Sequence, residues 1–132
     1  MNCLLDSHAL IWSLLLPHKL SRNAYKVIED QQNELFVSHV SFWEISLKYS
    51  LGKLDLLGAK PDEIPNWCRR SDIKTISLSE NDVASFYKLP RSLHKDPYDR
   101  MLVWQAINRQ LVLITKDDEL KAYYPAGLST LW

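Results

Sequence analysis

Six acidic residues carry the chemistry this chain offers: Asp6, Glu44, Asp96, Asp99, Asp117 and Asp118. They fall in four segments far apart in the sequence. Carboxylates brought together in a low-dielectric cleft repel, which raises their pKa values or demands a compensating cation. A divalent metal is the simplest answer. Oxygen-only donors with no His/Cys spacing favour Mg²⁺ or Mn²⁺ over zinc, and Mg²⁺ keeps several waters and binds phosphate oxygens as well. The chemistry implied is phosphodiester hydrolysis, in which one or two such ions polarise the phosphate, lower the pKa of a bound water and stabilise the leaving oxygen. Each acid also has an ordinary explanation. Asp6 and Asp96 suit helix N-caps, Glu44 and Asp99 sit three residues after a cap where a helix dipole favours acids, and Asp117-Asp118 suits a turn.

What joins the six is the order of the elements that hold them. Cys3-Leu4-Leu5 reads as a short buried strand, and helical spacing begins right after Asp6 and runs to Pro17. Ser21 caps a second helix to about Gln32, and Leu35-Phe36-Val37 is the next strand. Ser41-Phe42-Trp43-Glu44 has capping-box spacing and opens a helix that closes near Gly52. A weaker helix spans Asp62 to Arg70, a strand Lys74 to Leu78, and a helix Ser79 to Leu89. Asp96-Pro97 starts a helix that runs to Arg109, Leu111 to Ile114 is a strand, and a helical turn then leads to a terminal strand, Leu128 to Trp132.

Strands that alternate with helices and read as continuous apolar runs predict an α/β fold. It is a three-layer α/β/α sandwich around a mainly parallel sheet of four to five strands. Ligands of such sheets lie beyond the carboxyl ends of the strands. Asp6 and Asp117-Asp118 directly follow strands there, and Glu44 and Asp99 open helices at the same edge.

The composition fits one globular domain over residues 1–132: 46% hydrophobic residues, 16 Lys plus Arg against 16 Asp plus Glu, two Cys and three Gly. A net charge of zero excludes a generally basic nucleic-acid coat, so a polyanion must be met by a local basic rim. Cys3 and Cys68 lack metal or disulfide spacing and are expected to be buried free thiols. The longest apolar stretch, Ala9 to Leu16, is far too short to cross a bilayer, and a cytoplasmic location is expected.

Four segments then match a known pattern in order: Leu4-Leu5-Asp6-Ser7-His8-Ala9-Leu10-Ile11-Trp12; Ser41-Phe42-Trp43-Glu44-Ile45 with Lys48 and Leu51-Gly52-Lys53-Leu54; His94-Lys95-Asp96-Pro97-Tyr98-Asp99-Arg100-Met101-Leu102; and Leu113-Ile114-Thr115-Lys116-Asp117. Together they resemble PIN-domain ribonucleases, and more narrowly VapC-type toxins of bacterial toxin–antitoxin pairs. The resemblance implies a Mg²⁺- or Mn²⁺-dependent endoribonuclease, whose RNA products carry 5′-phosphate and 3′-hydroxyl ends. Its acidic quartet maps to Asp6, Glu44, Asp99 and Asp117, with Asp118 an alternative fourth acid and Asp96 an additional one. It also implies a cognate antitoxin lying across the active-site cleft.

Around the acids, Lys48, Lys53, His94, Lys95, Arg100 and Lys116 are candidates for contact with RNA phosphates. Trp12, Trp43 and Trp104 fall in helices and are expected in the core or an interface. The first helix is apolar nearly all round, with Ile11, Trp12, Leu15 and Leu16 unable to face one sheet, so a homodimer contact is expected there. The main alternative is a receiver-like signalling domain, also a parallel α/β sandwich with an acidic Mg²⁺ pocket.

Overall fold

The run Asn2–Leu5 forms β1, the central strand of a five-stranded sheet in a computed structural model that describes residues 1–132. β2 (Glu34–Ser38), β3 (Ile73–Ile76), β4 (Val112–Ile114) and β5 (Ser129–Leu131) complete it in the order β3-β2-β1-β4-β5. Every neighbouring pair is parallel. Six α-helices connect the strands: α1 (Ser7–Leu15), α2 (Arg22–Glu29), α3 (His39–Ser50), α4 (Ile64–Arg70), α5 (Glu80–Ser85) and α6 (Pro97–Arg109).

Successive side chains of a strand face opposite sides of the sheet, so β1 feeds two cores. Cys3 and Leu5 join Leu35, Val37, Ile73 and Ile114 on one side, where Leu10 of α1, Ala24 of α2 and Cys68 of α4 close over them. Leu4 and Leu113 enter the other, closed by Leu102, Val103 and Ala106 of α6. Each fully buried leucine here contributes about 1.5–3 kcal/mol relative to exposure. The helices on both faces make this the expected α/β/α sandwich. Both cysteines are buried and unpaired, and burial pushes the Cys68 thiol up to about 11.

The strand order locates the crevice. From β1 the chain moves outward to β2 and β3, then returns across the sheet to place β4 on the opposite side of β1. The order therefore reverses between β1 and β4, and the crevice opens beyond their carboxyl ends.

Several boundaries differ from the sequence reading, each for a local reason. α3 begins at His39 because the Ser38 hydroxyl already accepts the Val40 N–H at 3.1 Å, so Ser41 lies inside the helix and Glu44 in its second turn. The expected capping box at Ser41 is not formed. α2 ends at Glu29, where Asp30 folds back to accept the Gln32 N–H and Asn33 donates to the Val27 carbonyl. β3 is displaced to Ile73–Ile76 because Ile73 pairs with Leu35. The α-helix after Ser79 ends at Ser85 and tightens into a 3₁₀ turn over Phe86–Lys88. The turn after Asp117 is a nine-residue 3₁₀ helix, Asp118–Ala126, stopped by Gly127 at φ 106°, a conformation that favours glycine.

α5 and α6 are clamped by a buried ionic network. Asp82, 2% exposed, accepts both Arg109 amino groups at 2.9 Å, Gln105 Nε2 at 3.0 Å and the Ser79 N–H at 3.0 Å. Burial disfavours its charge, but these donors outweigh that and hold the carboxyl well below the usual range. The network fixes the C-terminal end of α6, whose N-terminal end carries Asp96 and Asp99.

Candidate active site

Asp6 caps α1 directly after β1: its Oδ1 accepts the Ala9 N–H at 2.7 Å while its own N–H donates to the Ile114 carbonyl of β4. The cap is structural, but it also pins a carboxylate at the switch point. Burial raises the pKa of Asp6, with the Thr115 side chain and the Ala9 N–H offsetting part of the rise and the charge of Glu44 adding to it. Asp96 is the N-cap of α6, where its Oδ1 accepts from Tyr98 and Asp99 N–H at 2.8 and 3.3 Å and leaves Oδ2 free of the backbone. Asp99 follows in the first turn.

Glu44 has no capping role, since α3 starts five residues earlier. It is 3% exposed, accepts the Ser7 hydroxyl on Oε1 at 2.6 Å and meets Lys48 Nζ on Oε2 at 2.5 Å. Oxygens of Glu44, Asp96 and Asp99 lie within 4.8 Å of one another. Asp6, Asp96, Asp99 and Asp117 line one open cleft of about 390 Å³ together with His8, Trp12, Lys48 and Lys116. Asp118 points outward, 86% exposed, and pairs with Lys121 at 3.0 Å. Between the two adjacent acids, the cleft holds Asp117.

The electrostatics follow from this crowding. Burial, reinforced by the charges of Asp96 and Glu44, raises the Asp99 carboxyl to about 6, with His94 pulling the other way. His94 is a bracket between segments: Nε2 lies 3.1 Å from Asp99, and Nδ1 lies 3.2 Å from Glu119 and 3.7 Å from Asp117. Burial disfavours its charge, but the bonds to Glu119 and Asp99 win and raise its pKa. The donor set suits a hard divalent ion. Three carboxylates converge within bonding reach of a common point and all ligand atoms are oxygen.

The basic candidates divide. Lys116 lines the cleft, with Nζ 5.8 Å from the Trp12 ring centroid. Lys48 and His94 are engaged with acids, and Lys53 and Lys95 are exposed outside the cleft lining. Arg100 is turned away: its guanidinium donates to the Tyr123 hydroxyl and reaches the Leu89 and Pro90 carbonyls, 4.9 Å from the Phe86 ring centroid. Two participants escaped the sequence reading. Ser7 sits beside Asp6 but its partner is 37 residues away, and Glu119 meets His94 across 25 residues. No spacing rule signals either contact.

The PIN domain family matches residues 3–124, covering all four acidic segments. The chain belongs to that family. Within it, this VapC-like chain is 30% identical over 131 residues to Ribonuclease VapC22 of Mycobacterium tuberculosis H37Rv, spanning 98% of this chain and 97% of the relative. Solved structures share its fold. It superposes on a chain of the Rickettsia felis VapBC2 complex bound to a promoter DNA fragment with a TM-score of 0.70 at 16% identity, covering 99% and 98% of the two chains. On VapBC-1 of nontypeable Haemophilus influenzae the TM-score is 0.64 at 15% identity, covering 99% and 97%. The PIN assignment displaces the receiver-like alternative. No helix of this PIN protein is long and apolar enough to cross a membrane.

Proposed function

We propose that this PIN protein is a divalent-metal-dependent endoribonuclease toxin, neutralised by a cognate antitoxin. The observation that carries the reading is that Asp6, Asp96, Asp99 and Asp117 line one cleft at the β1/β4 switch point, with an oxygen of Glu44 within 4.8 Å of oxygens of Asp96 and Asp99. These are the residues that would hold Mg²⁺ or Mn²⁺. When bound, the metal supplies Lewis acidity toward a phosphodiester and a water activated at neutral pH. The chain's own part is positional: α1 and α6 fix Asp6 and Asp96 by capping, Ser7 orients Glu44, and His94 ties Asp99 to the segment after β4. Lys116 at the rim receives the RNA backbone, and the exposed Lys53 and Lys95 extend that rim. The test is cleavage of a structured RNA that stops in EDTA and returns with Mn²⁺, and metal-independent cleavage would refute it.

The antitoxin reading follows from the same charge. A cleft that attracts divalent cations also accepts an Arg or Lys, paired with Asp6 or Asp99 through charge-assisted hydrogen bonds. Peptide and metal then compete. The cognate antitoxin's C-terminal peptide is expected to bind less tightly as Mn²⁺ rises, and equal affinity in EDTA and saturating Mn²⁺ would reject this mode of inhibition.

A homodimer is part of the proposal, but on a different face from the one the sequence suggested. α1 is largely covered by its own chain: Ile11 is 5% exposed, and the half-buried Trp12, Leu14 and Leu15 pack on the first core, Trp12 against Trp132 at 5.7 Å. Among the exposed apolar residues, Trp43 of α3 and Val83 of α5 line one apolar pocket. Trp43, which the sequence placed in the core or an interface, is 61% exposed and stands edge-on to Tyr98 at the rim of an apolar pocket of about 240 Å³. A second copy of this chain is the commonest closed way to cover such a face. Sedimentation should show a dimer that Trp43→Glu converts to monomer, and a monomeric parent chain at micromolar concentration would exclude it.

A further inference from the structure

Lys48 is the one lysine of the cleft that the fold pairs with an acid there. It lies four residues after Glu44 on α3, the spacing at which a helix brings a Glu–Lys pair together, and the acid precedes the base as the helix dipole favours. Glu44 has no idle oxygen. The Ser7 hydroxyl occupies Oε1 and the Lys48 ammonium occupies Oε2, in a site where the carboxylate is almost wholly withdrawn from water. Yet the oxygens of Asp96 and Asp99 converge on this same carboxylate within 4.8 Å, on the point where a divalent ion would find its donors. Lys48 thus places its charge where the metal's charge belongs. Its side chain is 35% exposed and lines both the open cleft and the small void beside Ser7 and His8, so it has solvent to move into. Lys116 offers a contrast, being exposed, stacked on Trp12 and without a carboxylate partner.

We propose that Lys48 is an exchangeable counter-ion: its ammonium holds Glu44 in the metal-free cleft and competes with the divalent metal for that carboxylate, setting the metal concentration the cleft requires. The inference rests on the metal-dependent reading above. It makes Lys48 a positioning residue with opposite effects in the two states. Without metal it relieves repulsion among Glu44, Asp96 and Asp99, and with metal it is a positive charge a few ångströms from a more highly charged cation.

Calorimetric titration of Mn²⁺ into the full chain, with thermal unfolding in EDTA, tests this. Lys48→Met and Lys48→Gln are both expected to bind Mn²⁺ on the order of tenfold tighter than the parent. Both should melt lower than the parent in EDTA, and the deficit should shrink as Mn²⁺ is added. Lys48→Arg, which keeps the charge, should stay near the parent in both measurements. A merely structural Lys48 would lower stability and leave Mn²⁺ affinity where it was. Parent binding of Mn²⁺ with neutral variants within about twofold of it, or weaker, overturns the exchange and leaves the metal-dependent reading intact. A parent chain that takes no Mn²⁺ at millimolar concentration overturns both.

Discussion

Asp99→Asn is expected to lose RNA cleavage by about 10³-fold or more, because it removes one of the few oxygens at the point where the acids converge. The same change should stabilise the metal-free protein at neutral pH. The Asp99 carboxyl is raised to about 6 by burial and by the charges of Asp96 and Glu44, above the range of an unfolded aspartate. A group raised in the folded state contributes stability that is fully present below about pH 4 and lost as pH climbs through about 6. At pH 7.5 the ionised, crowded carboxylate therefore costs about 1–3 kcal/mol, and its neutral isostere avoids that cost. Melting in EDTA should show the variant above the parent at pH 7.5 and the difference shrinking toward pH 5. Lost stability together with lost activity would mean that Asp99 is structural and would count against the site.

The second large effect lies far from the cleft. Asp82→Ala is expected to destabilise the protein by about 3–5 kcal/mol, since it leaves the Arg109 guanidinium and Gln105 amide without their shared acceptor and removes the capping box of α5. The pH dependence has the opposite sign to that of Asp99. A carboxyl held low by Arg109 contributes stability above the unfolded aspartate range, and loses it as pH falls through that range toward the folded value. Chemical denaturation at pH 7 and pH 3 should show the gap between parent and variant closing in acid. A variant as stable as the parent at pH 7 would mean that the network contributes nothing to holding α6.

How much of this was legible in the sequence depended on whether a signal was local. Asp6 and Asp96 stood out because N-capping is written into adjacent residues, and the strand at Leu113-Ile114 stood out because it is continuously apolar. The shared edge followed from alternation of strands and helices, which dictates a parallel sheet. Glu44 was legible from its place at the start of the helix after the second strand, while its ordinary explanation as a capping-box acid fails, since Ser38 caps α3 and Glu44 is bound by Ser7 and Lys48. Contacts made only by folding stayed hidden. The Asp82–Arg109 clamp, the His94 bracket and the turning of Arg100 toward Tyr123 join residues 27, 25 and 23 positions apart, where neither periodicity nor motif carries information. Trp43 read as core or interface, and the choice between the two was hidden because apolar patterning says that a residue prefers cover without saying which surface supplies it.

The most direct measurement of the central claim is the chemistry of the RNA ends. If Asp6, Glu44, Asp99 and Asp117 hold a divalent metal, it would supply an activated water at the phosphodiester, and attack that breaks the P–O3′ bond would leave a 5′-phosphate and a 3′-hydroxyl. Attack by the ribose 2′-hydroxyl, which needs no metal, leaves a 2′,3′-cyclic phosphate. With purified parent chain and a structured RNA, the account predicts 5′-phosphate and 3′-hydroxyl ends that form in Mn²⁺, not in EDTA, and not with Asp6→Asn. Cyclic phosphate ends formed in EDTA, or full cleavage by Asp6→Asn, would contradict it.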